Sequence, residues 1–150
     1  MLRAVPFAIL VFLFSACAAL SETDDDTQPT EDLEEYTIPE DTIDISTPSG
    51  EYSEGRVYIH EVRKVDVDGV PGIVVKGSLP ESCSRLKTAE LFFESDDVVE
   101  IEMTSWRPAD VSCAQVLVDF SYLFEDVDES RLATVTKYIH DGDEGEIISN

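Results

Sequence analysis

Val98-Val99-Glu100-Ile101-Glu102-Met103 is the stretch that decides the fold. Val99, Ile101 and Met103 alternate with Glu100 and Glu102, and successive side chains of an extended strand point to opposite faces. One face is therefore apolar and the other charged, which predicts a half-buried strand with its outer side in water. The same texture recurs on both sides. Toward the C-terminus, Val116, Val118, Phe120 and Tyr122 share one face of the next run. Leu132 to Ile139 is expected to form a last strand, with Ile147-Ile148 a weak continuation. Toward the N-terminus, Leu91-Phe92-Phe93 begins a strand that Asp96-Asp97 turns, and Ile73-Val74-Val75 is a strand core ending at Gly77 and Pro80. Asp68-Gly69 with Pro71-Gly72 is a dense turn signal. Val57 and Ile59 alternate, then Val62 and Val65 break step, which predicts a bulge in that strand. No segment sustains a helical period, although Ser84 to Glu90 has room for a turn or two. Residues 56–150 are thus expected to form an all-β domain: a small antiparallel β-sandwich (immunoglobulin-like) or barrel of about six to seven strands. The tail from about residue 141 is the least patterned part.

Charge divides the chain. It has 150 residues, with 33 Asp plus Glu against 10 Lys plus Arg and a net charge of −23. Phosphate contacts need clustered Lys and Arg, so nucleic-acid binding is excluded as a function class. Thirteen of the acids lie between Cys17 and Gly55, where no Lys or Arg occurs and Pro29, Pro39 and Pro48 interrupt any helix. Sparse apolar residues and mutual repulsion predict that residues 17–55 form a disordered acidic tether. The functional alternative is an acidic binding arm anchored by Tyr36 and Ile38. The remaining acidity fits solubility at high ionic strength or attraction to cations and basic partners.

The chain has three cysteines, Cys17, Cys83 and Cys113, an odd number for a secreted protein. Arg3 precedes an apolar run from Val5 to Phe14, and Phe14-Ser15-Ala16-Cys17 follows. This arrangement resembles the lipobox of bacterial lipoproteins, with Phe14 where leucine is commonest. The resemblance implies that residues 1–16 are a signal peptide, that the Cys17 thiol carries diacylglycerol, and that the new amino terminus carries an N-acyl lipid. It also implies a cell-envelope location; Ala18, not aspartate, after the cysteine favours the outer membrane in a Gram-negative host. A plain secretory signal cut near Ala16 or Ala18 is the alternative, and a spanning anchor falls short of the roughly 20 apolar residues it needs. Assigning Cys17 to lipid leaves Cys83 and Cys113 to pair in an oxidising compartment. Closing that loop contributes about 3–4 kcal/mol in the chain-entropy account. A redox pair needs closely spaced thiols, and a zinc site needs further ligands where only His60 and His140 are on offer.

Gly77-Ser78-Leu79-Pro80-Glu81-Ser82-Cys83, then Thr104-Ser105-Trp106-Arg107-Pro108, then Cys113-Ala114-Gln115-Val116-Leu117 form an ordered set. It resembles a recurring small exported bacterial domain marked by G-x-L-P-x-x-C followed by R-P-x4-C, over about residues 57 to 124. The resemblance implies a β fold and a staple, and no activity. Gly77 is expected to take backbone angles closed to other residues, and Pro80 and Pro108 each preset a turn shortly before a cysteine. Trp106 is read either as a wall covering the disulfide or, with Arg107, as an exposed partner-binding pair. Arg107 also has many carboxylates to pair with.

Chemistry-bearing motifs are few. Neither His60 nor His140 has a serine in a nucleophile-elbow context, and each reads as a surface histidine on a strand. Asp141, Asp143 and Glu146 are weak calcium candidates, although the segment lacks the glycine and closing acid of an EF-hand loop. No catalytic residue and no cofactor is expected beyond the lipid. The expectation is a lipid-anchored, non-catalytic module that is structural or binds an envelope protein or polysaccharide. The alternatives are a protease-inhibitor-like or calcium-dependent binding domain, and an enzyme of unrecognised type.

Overall fold

A computed structural model describes residues 37–149. Residues 1–36, and with them Cys17, Tyr36 and the signal-like segment, lie outside the described residues. Two sheets face each other. One has three strands in the order β2 (Tyr58–Val67), β3 (Val70–Leu79), β6 (Val118–Phe124), all antiparallel. The other is built around β5 (Val98–Pro108). β4 (Arg85–Phe93) pairs along nearly the whole of one β5 edge. The other edge is divided: β1 (Tyr52–Gly55) pairs antiparallel with Ser105–Pro108, and β7 (Lys137–His140) pairs parallel with Val98–Glu100. β8 (Asp143–Glu146) completes the sheet beside β7.

The β5 alternation decides which face is the core. Val99, Ile101 and Met103 are 0%, 1% and 3% exposed, while Glu102 is exposed. Across the sandwich they meet Val62, Ile73, Val75 and Phe120 from the three-stranded sheet. Val127, Leu132, Val135 and Ile147 belong to the same cluster. Gly77 takes no unusual backbone angle, contrary to expectation. Its role is room: a Cβ there would sit 2.4 Å from the Tyr58 carbonyl and 3.0 Å from the Phe120 ring.

Two hairpins turn on Asp-Gly. Asp68 and Gly69 have φ of 55° and 82°, and Asp141 and Gly142 have 51° and 83°. Positive φ at both central residues is the twist-matching turn of a two-residue hairpin. The expected bulge in β2 is present, but at His60, where the register with β3 slips between Ile59 and Glu61.

Four expectations are corrected. Ser84 to Glu90 makes no helical turn, because Arg85 onward is strand β4, tied to β5 by a hydroxyl pair, Thr88 Oγ1 to Thr104 Oγ1 at 2.7 Å. Leu132 to Ile139 is not one strand: a short helix α1 (Glu129–Thr134) precedes β7 in an otherwise β fold. Asp128 caps α1 by accepting from the Arg131 amide at 3.1 Å, and the Ser130 hydroxyl donates to the same carboxylate. Those two bonds, Ser130 first, hold the Asp128 carboxyl below its ordinary pKa. Val116 and Val118 share the parity of Phe120 but are exposed, since the core ends at Phe120.

The fourth correction concerns the tether. Residues 37–55 are part of the domain. Ile43 donates to Ser121 O at 2.9 Å and Ser121 donates to Asp41 O at 3.2 Å, a parallel bridge on the outer edge of β6. Ser46 then donates to Leu86 O at 2.8 Å, and the Trp106 indole donates to Ser46 O at 2.7 Å. Ile43 is half-buried against the core, and β1 follows as a paired strand. Few apolar residues suffice here because backbone groups of two open edges supply the partners. The segment is a strap across both sheets.

If β5 alternation carries the core, Ile101→Ala costs about 2–5 kcal/mol of unfolding free energy, whereas Glu102→Ala stays within about 0.5 kcal/mol. Urea titrations of the two variants check this; comparable losses refute the assignment of faces.

Candidate functional site

The disulfide end is the first place where motif residues converge. The turn after β3 carries Pro80 to Cys83, and the loop after β5 carries Cys113. Cys83 and Cys113 are bonded, with Cα atoms 5.7 Å apart, inside the ordinary disulfide range. Backbone contacts brace the bridge: Ser82 N donates to Ala114 O at 3.0 Å and Ala114 N to Ser82 Oγ at 3.1 Å. Beside the sulfurs lies Glu81, whose carboxylate is held by Arg107 Nε at 3.2 Å.

Trp106 and Arg107 are not an exposed binding pair. Trp106 is 6% exposed, its N–H is used on Ser46, and its ring meets Tyr52 edge to face at 6.3 Å. The wall beside the disulfide is Glu81, not the indole. Lys87 reaches over the Tyr52 ring, 5.1 Å from its centre, and pairs with Glu54. Hydrogen bonds to Glu54 and then Tyr52 raise the Lys87 pKa above its ordinary value. A cavity of about 290 Å³ opens here, with Glu54, Arg56, Glu81, Ser84, Trp106 and Arg107 on its wall.

Sequence reasoning missed what the pinned loop exposes. Val111, Val116, Leu117 and Val118 are 45%, 52%, 61% and 38% exposed. Reading Val116 and Val118 as core had hidden them; the available signal was Asp110 and Gln115, polar residues in a stretch with no turn glycine.

The two histidines, eighty positions apart, come together. A second cavity of about 270 Å³ is lined by His60, His140, Tyr58, Tyr138, Asp141 and Asp143 among others. Burial first, and Asp143 second, raise the Tyr138 pKa above its ordinary value. His60 lies on the β2 bulge with Nε2 2.6 Å from Ser78 Oγ, and Ser78 donates to Asp119 Oδ1 at 2.7 Å. With the serine in the middle and 1% exposed, this is not a nucleophile–base–acid chain, in which the histidine sits between. His140 is buried, unlike the surface position expected of it. Its Nδ1 is 2.8 Å from Ile101 O and its Nε2 3.0 Å from Val57 O. Among the described residues, no serine, threonine, cysteine or lysine lines this cavity.

Asp141, Asp143 and Glu146 do not gather into a calcium set. The β7–β8 hairpin pairs His140 with Asp143 and Lys137 with Glu146. Glu146 is therefore three ladder steps from the turn, about 10 Å along the strand. Asp141 instead pairs with Arg56, Nε to Oδ2 at 3.2 Å. Among the described residues, the one group of three ligand atoms within 4.8 Å of each other is Glu81, Cys83 and Cys113, whose sulfurs are already bonded to each other.

Residues 73–128 match the family described as the ORF11 beta-sandwich domain. The match covers β3 to β6 and the disulfide, fewer than half of the chain's 150 residues. The family's description names a fold and no activity, so it supports the sandwich over the closed barrel. No curated protein and no solved structure matches the chain significantly.

Removing the bridge with Cys83→Ser and Cys113→Ser together is expected to cost about 2–5 kcal/mol, read by thermal or urea unfolding. Sodium chloride is expected to raise the melting temperature by screening repulsion among the acids. Calcium chloride at equal ionic strength should add nothing further, and a large calcium-specific rise would contradict the split geometry.

Proposed function

We propose that this protein is an exported, lipid-anchored β-sandwich module of the cell envelope, attached through Cys17 and non-catalytic. The observation that carries the reading is the cysteine count set against the pairing. Cys83 and Cys113 consume each other, which leaves Cys17 as the odd thiol, placed where the lipobox-like Phe14-Ser15-Ala16-Cys17 puts a lipidated one. A disulfide also belongs to an oxidising compartment outside the cytoplasm. Among the described residues no helix is long and apolar enough to cross a membrane. The outer membrane is the proposed destination in a Gram-negative host, since Ala18 follows the cysteine.

The role proposed for the folded part is binding or structural, with an envelope protein or polysaccharide as partner. The exposed apolar residues Val111, Val116 and Leu117 of the loop before β6, with Val118 at the start of that strand, support it. The disulfide, one backbone hydrogen bond and one to the Ser82 hydroxyl hold that loop, so little ordering entropy remains to oppose an encounter.

Metabolic labelling with palmitate is expected to mark the wild-type protein and to spare Cys17→Ser. Equal labelling of the two would defeat the anchor.

A further inference from the structure

His140 has an acceptor at each ring nitrogen. Nδ1 lies 2.8 Å from the Ile101 carbonyl oxygen and Nε2 3.0 Å from the Val57 carbonyl oxygen, on a residue 7% exposed. A neutral imidazole carries one N–H and one lone pair; the cation carries two N–H groups. In the neutral ring one lone pair would therefore face a carbonyl oxygen, and that carbonyl would lose its donor. Only the doubly protonated ring satisfies both. We propose that His140 is a proton-operated clamp, which as an imidazolium ties β5 to the β1–β2 link and lets go of one of them when the proton leaves.

The position makes the clamp consequential. β7 pairs with β5 as far as Glu100 and β1 pairs with it from Ser105 onward, so among the described residues Ile101–Thr104 has no strand on that edge. The His140 ring occupies this gap. The charged and titratable groups that face the ring come from three elements. On its own hairpin, Asp141 Oδ2 is 4.0 Å from Nε2, Asp143 stands opposite His140 in the ladder, and Tyr138 and Glu144 line the same cavity. The β1–β2 link contributes Arg56, already paired with Asp141, and β2 contributes Tyr58 and His60. On β5, Glu100 and Glu102 flank Ile101 and alternate to the opposite face. Three carboxylates against one guanidinium leave the cavity net negative.

The sign follows from proton counting. A proton kept by the folded state and released by the unfolded chain makes stability fall as pH rises. That stabilisation is complete below the ordinary histidine value of about 6.5 and is lost only above it.

The test uses the full chain labelled with nitrogen-15 in histidine. At about pH 7.5, proton–nitrogen spectra should show two slowly exchanging N–H protons on the His140 ring and a single one at most on His60. A single-N–H tautomer of His140 at that pH overturns the proposal. Unfolding measured from about pH 5.5 to 8.5 gives the second reading. The folding equilibrium constant should fall by about tenfold across the range, a fall kept by His60→Gln and lost in His140→Gln. A fall that persists in His140→Gln also overturns it; if that variant does not fold, the spectra of the wild type decide alone.

Discussion

One strand has to serve more neighbours than it has edges. β5 gives one side to β4 and divides the other between β1 and β7, which approach from opposite ends and run in opposite senses along it. The gap between them is bridged by side chains: the His140 ring at Ile101, and the Ser105 hydroxyl on the Arg56 carbonyl at 3.1 Å. Backbone ladders to β5 join the five strands, and these side chains occupy the space between β1 and β7. The same strand carries Trp106, and through it the strap. Core, hairpin and strap therefore all refer back to β5.

The three-stranded sheet faces the opposite problem, two edges with no strand beyond them. Each receives a short parallel piece of chain. The strap bridges Ser121 on β6, and the C-terminal segment bridges β2, where Ile148 N donates to Val62 O at 2.9 Å and accepts through its carbonyl from Lys64 N at 3.0 Å. Exposed edges invite pairing with other chains, and short covers with strong surrounding charge discourage it. A net charge of −23 adds a general repulsion to these local covers.

What could be read in the sequence was what neighbours in sequence decide. The period-two run Val99-Ile101-Met103 and the Asp68-Gly69 turn depend on a few consecutive residues, and both are where they were expected. The Cys83–Cys113 pairing needed only arithmetic. The misreadings share a different cause. Ser84 to Glu90 has no strong local preference and becomes strand only because β5 lies alongside. Leu132 to Ile139 was split by the Asp128 cap, whose partners follow it by two and three residues, a signal that was present and outweighed by β-branched residues. The strap has hardly any apolar content and is held by backbone bonds, which composition does not reveal. The His140 bonds reach across 39 and 83 positions, so no local pattern marks them.

The strap also determines how the domain bears tension. A pull along the chain from the N-terminal side meets the paired bonds at Ser121 first. Because the strap runs parallel to β6, those bonds are sheared side by side and not peeled one at a time. Ser46, gripped by Leu86 and the Trp106 indole, comes next, and the β1–β5 ladder after that. The fastenings thus lie one after another along the chain, and the first carries Ile43, whose side chain packs against the core.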